Sequence, residues 1–195
     1  MNGRRQTCED VRELDSAGAS PYASDMTRAL DLPALLRALL VTVLAALVGC
    51  DGGAAPTTAK VVAAGKEFTV KLAMDNASRE KGLGGVTSLG PDEGMLFVFT
   101  DSLPRNFWMV DCVMDIDIAF VDPFGFVTAV HTMPKEPLQA EGESRDAYYG
   151  RLKRFPSLAP AQFAFEVAPG RLAELGVKRG VRLEFDRDTL KKHAK

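Results

Sequence analysis

Phe68, Val70 and Leu72 alternate with Thr69, Lys71 and Ala73, a period of two that predicts a strand with one buried face. Residues 95–99, apolar on both faces, and residues 106–110 predict interior strands. Residues 116–121 and 126–132 predict a further pair, and residues 162–167 and 181–185 the last two. The segments between are short and broken: residues 78–83 are polar and amount to a helical turn at most, and Gly82, Gly84, Gly85 and Gly90 interrupt the stretch up to residue 95. Residues 171–175 predict a brief helix closed by Gly176. About seven short strands separated by Gly and Pro turns, with no repeat and no strand-helix-strand rhythm, predict a mainly all-β chain. The expected architecture is a compact antiparallel β-sandwich or a partly open barrel with one or two short helices.

One hairpin has a readable register. Asp122-Pro123-Phe124-Gly125 fits a type I turn followed by a left-handed Gly, the three-residue loop with a bulge. That geometry pairs Val121 with Val127, Ala119 with Ala129 and Asp117 with His131 on one face, and puts Ile118, Phe120, Phe126 and Val130 on the core face. Asp117 opposite His131 would orient the ring as a base, and the two are equally a favourable cross-strand pair on a solvated sheet. Residues 134–160 carry charges such as Glu136, Glu143, Arg145 and Arg151 with few β-formers, and predict a long surface loop. Loops of that length are often lids, which makes Tyr148-Tyr149-Gly150-Arg151 and Arg154-Phe155 candidates to face a ligand; a mobile insertion is the alternative.

The N-terminal segment reads as an address. Residues 1–25 mix Arg4, Arg5 and Arg12 with Glu9, Asp10, Glu13 and Asp15 without periodicity, as expected of a disordered extension or of a true start at Met26. Arg28 and Arg37 then precede an apolar run over 38–48 that ends Leu47-Val48-Gly49-Cys50. A positive n-region, a short h-region and small residues before a cleavage point make 26–49 a secretory signal. The ending resembles a bacterial lipobox, in which Cys50 becomes the lipid-bearing first residue. A spanning helix needs about 20 apolar residues, far more than this run supplies. A core helix followed at once by Asp51-Gly52-Gly53 would lack a polar face. The expected organisation is a tether over 50–59, a single β domain over 60–186 and a basic tail over 187–195. The expected place is the cell envelope, with the domain facing the periplasm from the inner or outer membrane.

Composition narrows the functional classes. With 195 residues the chain supports one well-buried domain, and 24 Lys and Arg against 26 Asp and Glu leave a formal charge of −2. No strong field recruits nucleic acid, so a nucleic-acid partner is not expected. Of Cys8, Cys50 and Cys112, only Cys112 remains as a thiol after cleavage and lipidation, which rules out an internal disulfide in the mature chain. Cys112 sits beside an apolar run, where inert packing competes with a reactive role. Two His and one thiol are too few for a transition-metal centre, and Asp111, Asp115 and Asp117 lack the Gly and terminal Glu of an EF-hand loop. The expectation is therefore a monomer without metal or cofactor.

Four ordered segments carry a family likeness. Arg79-Glu80-Lys81-Gly82-Leu83, Gly94-Met95-Leu96-Phe97-Val98-Phe99, Phe107-Trp108-Met109 and Ile116-Asp117-Ile118-Ala119-Phe120 closely resemble the signature of the domain of unknown function 192 family, DUF192. Glu166-Val167-Ala168-Pro169-Gly170 and Gly180 fit its C-terminal strand and following turn. The likeness covers residues 60–185 and implies a small single domain of jelly-roll type, exported in many members, with no activity attached. The chain also departs from that pattern. Gly84-Gly85 stand where the family has Met and a basic residue, Val110-Asp111-Cys112 replace a Lys-Asn-Thr stretch, and Asp115-Ile116-Asp117 stand where Pro-Leu-Asp is common.

The matching residues suggest a ligand site made of Arg79, Trp108, Asp117 and His131. Arg79 offers a planar five-donor cation, Trp108 a broad face for a sugar or a cation, and Asp117 a carboxylate for Arg79 or for ligand. Arg79 with Asp117 would form a buried bidentate pair, a structural element by default, and Trp108 beside Phe107 and Met109 is equally a core residue. No catalytic set is complete. The first expectation is a lipid-anchored binding or accessory module with a polar-aromatic pocket for a small molecule or glycan. The alternatives are a glycan hydrolase, with carboxylates among Asp115, Asp117, Glu136, Glu141 and Glu143, or an envelope protein without a ligand.

Overall fold

A computed structural model describes residues 54–195. The extension over 1–25, the signal over 26–49 and Cys50 lie outside the described residues. Nine strands and four short helices follow one another. They are β1 (Thr58–Ala63), β2 (Lys66–Ala73), α1 (Asn76–Lys81), β3 (Glu93–Leu103), β4 (Asn106–Phe107), β5 (Ile116–Val121), β6 (Val127–Met133), α2 (Arg145–Arg151), β7 (Phe155–Pro156), β8 (Ala161–Val167), α3 (Arg171–Glu174), β9 (Leu183–Glu184) and α4 (Arg187–His193). The chain is mostly β, in a seven-stranded sheet of order β6-β5-β8-β3-β2-β1-β9, with β4 and β7 as a separate pair. The two ends of the large sheet meet: Phe126 bridges Arg182, Val127 donates to the Val181 carbonyl at 2.8 Å, and Leu183 donates to the Gly125 carbonyl at 2.8 Å. The sheet therefore curls into a partly closed barrel, one of the expected architectures. β2 and β3 run parallel, the exception in an otherwise antiparallel sheet. Helix α1 occupies the crossover between them.

Both faces of the central strands are buried. Leu96 and Val98 of β3, Ala119 and Val121 of β5, and Phe163, Phe165 and Val167 of β8 face the inside of the curl, with Phe68, Leu172 and Leu183. Their alternating neighbours Met95, Phe97, Ile116, Ile118, Phe120 and Ala164 build a second core with Leu83, Met109, Cys112, Met133 and Phe155. β5 and β8 are buried at every position. Such strands need cover on two sides, and the second side is covered by residues 81–92, 104–115 and 134–160 folding over the sheet.

The hairpin differs from its expected register by one residue. Gly125 has φ +95°, and the Asp122 carboxylate accepts from the Phe124 and Phe126 amides at 2.8 and 2.9 Å, so the turn is the expected one. Val121 faces Val127, but Phe120 then faces Ala129, Ile118 faces His131 and Asp117 faces Thr132. Thr128 is the extra residue of the bulge, and its hydroxyl donates to the Phe120 and Ser157 carbonyls at 3.3 and 3.1 Å. The Asp117 to His131 pairing is thereby lost.

Other expectations are corrected by local polar bonds. Residues 134–160 are not a structureless loop. Ser144 caps α2, Tyr148 and Leu152 bury their side chains, and Arg151 ties Glu143 and the Pro137 and Leu138 carbonyls together. α1 is a full short helix because Asp75 and Ser78 form a capping box. The basic tail forms α4, capped by Asp186 and anchored by buried Leu190. Residues 106–110 contribute two residues of strand, outside the main sheet. Among the described residues no helix is long and apolar enough to cross a membrane.

Asp117 is buried on the inner face. Its carboxylate accepts from the Thr132 hydroxyl at 2.8 Å and from the Leu172 amide at 3.1 Å, in the first turn of α3, which has no side-chain cap of its own. Asp117→Ala leaves the buried Leu172 amide unpaired and takes away the partner of the exposed Thr132 hydroxyl. The expected cost is roughly 1 to 3 kcal/mol, read as a lower midpoint in urea denaturation.

Candidate functional site

The cover over the second core is incomplete, and the gap is a cleft of about 790 Å³ between α1, residues 106–112 and α2. Phe97 and Phe99 of β3 and Phe107 of β4 form apolar walls, and Arg79, Lys81, Trp108, Asp111, Arg145 and Tyr149 line the approach. At the bottom lie Cys112 and Glu166.

Glu166 is in the cleft because of the strand period. In β8, Phe163, Phe165 and Val167 face inward, so Ala164 and Glu166 face outward into the second core. Its partners across the sheet are Met95 and Ile118, neither of which offers a hydrogen bond. The residue is 5% exposed, and its buried Oε2 has no hydrogen-bond partner. Removal from water with no cation close enough to compensate pushes the carboxyl up to about 8, so it is a neutral acid at pH 7. Gly94 permits this packing: a Cβ there would collide with the Glu166 carbonyl.

Cys112 is inert for the same electrostatic reason. Burial first, then the Glu166 and Asp111 carboxyls, pushes its thiol up to about 12, and Sγ is 3.5 Å from the Val110 carbonyl. Asp111 is the opposite case. Arg145 holds it at 2.9 Å and keeps its carboxyl below the ordinary value, its amide donates to the Tyr148 hydroxyl at 2.8 Å, and its φ is +55°.

The four residues marked from sequence divide into two groups. Arg79 and Trp108 line the cleft. Arg79 donates to the Val98 carbonyl at 2.9 Å and to Asn76 at 2.7 Å, and lies 5.4 Å from the centre of the Phe99 ring. Trp108 is 41% exposed at the rim; Tyr149 stacks on it with centroids 5.4 Å apart, and the Arg154 guanidinium lies 3.5 Å from its ring centre. The ring is thus a wall held by the protein's own groups. Asp117 lies on the inner face and caps α3, so the Arg79 to Asp117 pair does not form. His131 is elsewhere as well: its Nε2 is 2.7 Å from the Pro156 carbonyl, between the Phe120 and Phe155 rings, and it fastens β7 to the sheet.

The carboxylates considered for hydrolysis are also outside the cleft lining. Asp115 accepts from the Lys135 amide, Glu136 from the Lys153 amide, and Glu143 pairs with Arg151. Glu166 was missed as a site residue, although one signal was present: it is the acid in Ala161–Val167, a strand otherwise apolar on both faces apart from Gln162. Among the described residues no cluster of three or more His, Cys, Asp or Glu is arranged to hold a metal ion.

Comparison with known proteins places this geometry among relatives without an assigned chemistry. The family described as DUF192, Uncharacterized ACR, matches residues 59–185. A crystal structure of a protein from Sinorhizobium meliloti 1021, proposed to be a transcription regulator, is 28% identical with a TM-score of 0.55, covering 69% of this chain and 98% of that one. A protein of unknown function from Novosphingobium aromaticivorans DSM 12444 is 29% identical with a TM-score of 0.53, covering 65% of this chain and 83% of that one. No curated protein matches the chain.

Two measurements check the floor of the cleft. Between the ordinary carboxyl value of 4.5 and about 8, the folded chain keeps a proton on Glu166 that the unfolded chain has released, so stability falls as pH rises through that window. Subtracting the pH profile of Glu166→Gln from that of the natural protein isolates the effect; between pH 4.5 and 7 the natural protein loses roughly 3 kcal/mol that the variant keeps. Mass mapping after iodoacetamide at pH 8 finds Cys112 unmodified in the native protein and modified in urea, as a thiol raised to about 12 and buried requires.

Proposed function

Taking as premise that the chain belongs to the DUF192 family, whose model spans residues 59–185, we propose that its β domain is a binding module for a small molecule. The cleft is the proposed binding site. One observation carries this reading: an acid buried in the central strand without a partner, at the bottom of an open cleft of about 790 Å³. A buried polar group left unpaired costs roughly 1 to 3 kcal/mol, a penalty that a hydrogen-bonding ligand removes. The cleft volume and its mixture of aromatic walls with a few convergent polar groups are those of a small-molecule site. Arg79 and Trp108 keep their proposed role as ligand-facing residues; Asp117 and His131 are assigned to the scaffold. A formal charge of −2 supplies no field for nucleic acid, so the ligand is not a nucleic acid in this reading.

The proposed setting is the bacterial envelope. Cys50 after Leu47-Val48-Gly49 supports lipid attachment, and residues 51–57 supply a Gly- and Thr-containing tether ahead of β1. The module then samples solutes close to the membrane surface.

A second reading is hydrolysis of a glycan. It is favoured by Glu166 and Asp111 sharing one cleft with their pKa values displaced in opposite directions, the pattern of a general acid beside an ionised carboxylate. Arg145 engages both oxygens of Asp111, which favours binding over catalysis.

A thermal-shift screen of sugars, amino acids, nucleotides and peptidoglycan fragments on the full-length protein in detergent tests the first reading. A hit that raises Tm and is lost in both Trp108→Ala and Arg79→Ala, each still folded, is expected; release of new reducing ends from the hit would select the second reading. Metabolic labelling with an alkyne fatty acid is expected to mark the protein and to fail in Cys50→Ala.

A further inference from the structure

The bottom and the mouth of the cleft differ in charge, and that difference specifies what spans them. Glu166 has no counter-charge; its displacement comes from burial alone. Arg79, Lys81 and Arg145 line the same cleft against two acids, Glu80 and Asp111, so cations are in excess at the mouth. Among the described residues neither Arg79 nor Lys81 pairs with an Asp or Glu side chain, and Arg79 donates to the main-chain oxygen of Lys195. Lys81 is exposed and makes no hydrogen bond through its ammonium group among the described residues, whereas Arg145 is already committed to Asp111. Arg79 uses part of its five-donor fork on main-chain and Asn76 oxygens and keeps donors to spare. A cationic ligand would have to pass Arg79 and Lys81 and then ionise a carboxyl that its surroundings keep neutral. An uncharged ligand would leave both cations unmatched.

We propose that the cleft takes a small organic anion, whose charged group sits between Arg79 and Lys81 and whose hydroxyl or carbonyl end accepts a hydrogen bond from the protonated Glu166. This rests on the reading of the cleft as a ligand site. The ligand supplies the partner that Glu166 Oε2 lacks and a counter-charge for Lys81, whose neighbouring acid Asp111 is already held by Arg145, both within one cavity. Binding depends on Glu166 keeping its proton. The charged or titratable groups that share the cleft with it are Arg79, Glu80 and Lys81 from α1, Asp111 and Cys112 from the segment before β5, and Arg145 and Tyr149 from α2; Met95 and Ile118 on the flanking strands carry no charge.

The chain has a single tryptophan, Trp108, at the rim of this cleft, so its fluorescence reports occupancy directly. The full-length protein in detergent is titrated at pH 6.5 with glucuronate, glucose and glucosamine, three probes that share a pyranose ring and differ in charge. Glucuronate is expected to change the emission at lower concentration than the other two, with about tenfold weaker binding in Lys81→Gln. Its affinity falls about tenfold by pH 9, once the acid has ionised. Glu166→Leu abolishes the response, and Glu166→Gln, which keeps an N–H donor, rescues it without the loss above pH 8. Preferential binding of glucosamine that Glu166→Gln destroys would overturn the proposal while leaving the cleft as a binding site. So would glucuronate binding indifferent to Lys81, or silence from all three probes beside a hit in the thermal-shift screen. Silence in both assays would overturn the binding reading itself.

Discussion

A sheet whose central strands carry apolar side chains on both faces must be covered twice, and the remainder of this molecule is built around that requirement. Curling brings one face of β3, β5 and β8 onto itself and closes the first core with α3 and α4. The second face meets only the short pair β4 and β7; the rest of its cover comes from residues 81–92, 104–115 and 134–160, whose backbone polar groups must be satisfied locally. The capping box of α1, the Ser144 cap of α2, the Arg151 cluster and the Tyr148 bond to the Asp111 amide satisfy them. A cover assembled from separate segments leaves a seam, and the seam is the cleft.

The position of the acid at the bottom of that seam runs against stability. A leucine in the place of Glu166 would continue the second core, whereas the carboxyl's Oε2 forfeits its hydrogen bonds to water and gains none from the protein. The scaffold also gives up side-chain volume at Gly94 so that β3 lies close against the Glu166 main chain. Buried cost at the end of an open cavity is the form that a ligand site takes when part of its bonding is reserved for a molecule still to arrive. The neighbouring thiol shows the contrast: Cys112, in the same low-dielectric place, is a neutral packing group with a main-chain partner.

Much of this was legible in the residues, and the failures share one cause. The strand period of residues 68–72, 95–99, 116–121 and 162–167 located the main sheet, and Asp122 to Gly125 located its tightest turn. The register beyond that turn was not legible, because the Thr128 bulge is held by Ser157, a partner 29 residues away. The helix in 134–160 and the roles of Asp117 and His131 were hidden for the same reason: each depends on a main-chain group, Leu172 N–H or the Pro156 carbonyl, that only the fold brings near. Arg79 and Trp108 were singled out by the family likeness, and they share a wall of the cleft. The acid beneath them went unremarked, since a lone Glu in a strand reads as an outward-facing charge until the strand is known to be covered on both sides.

The most direct test is the protonation state of that acid. With glutamate carboxyl carbons labelled by 13C, a pH titration of the folded protein followed by NMR is expected to show the Glu166 resonance changing near pH 8. Titration in the ordinary range near 4.5 would mean that water or a cation already serves the carboxyl, and the account of the cleft as a site awaiting a hydrogen-bonding ligand would be wrong.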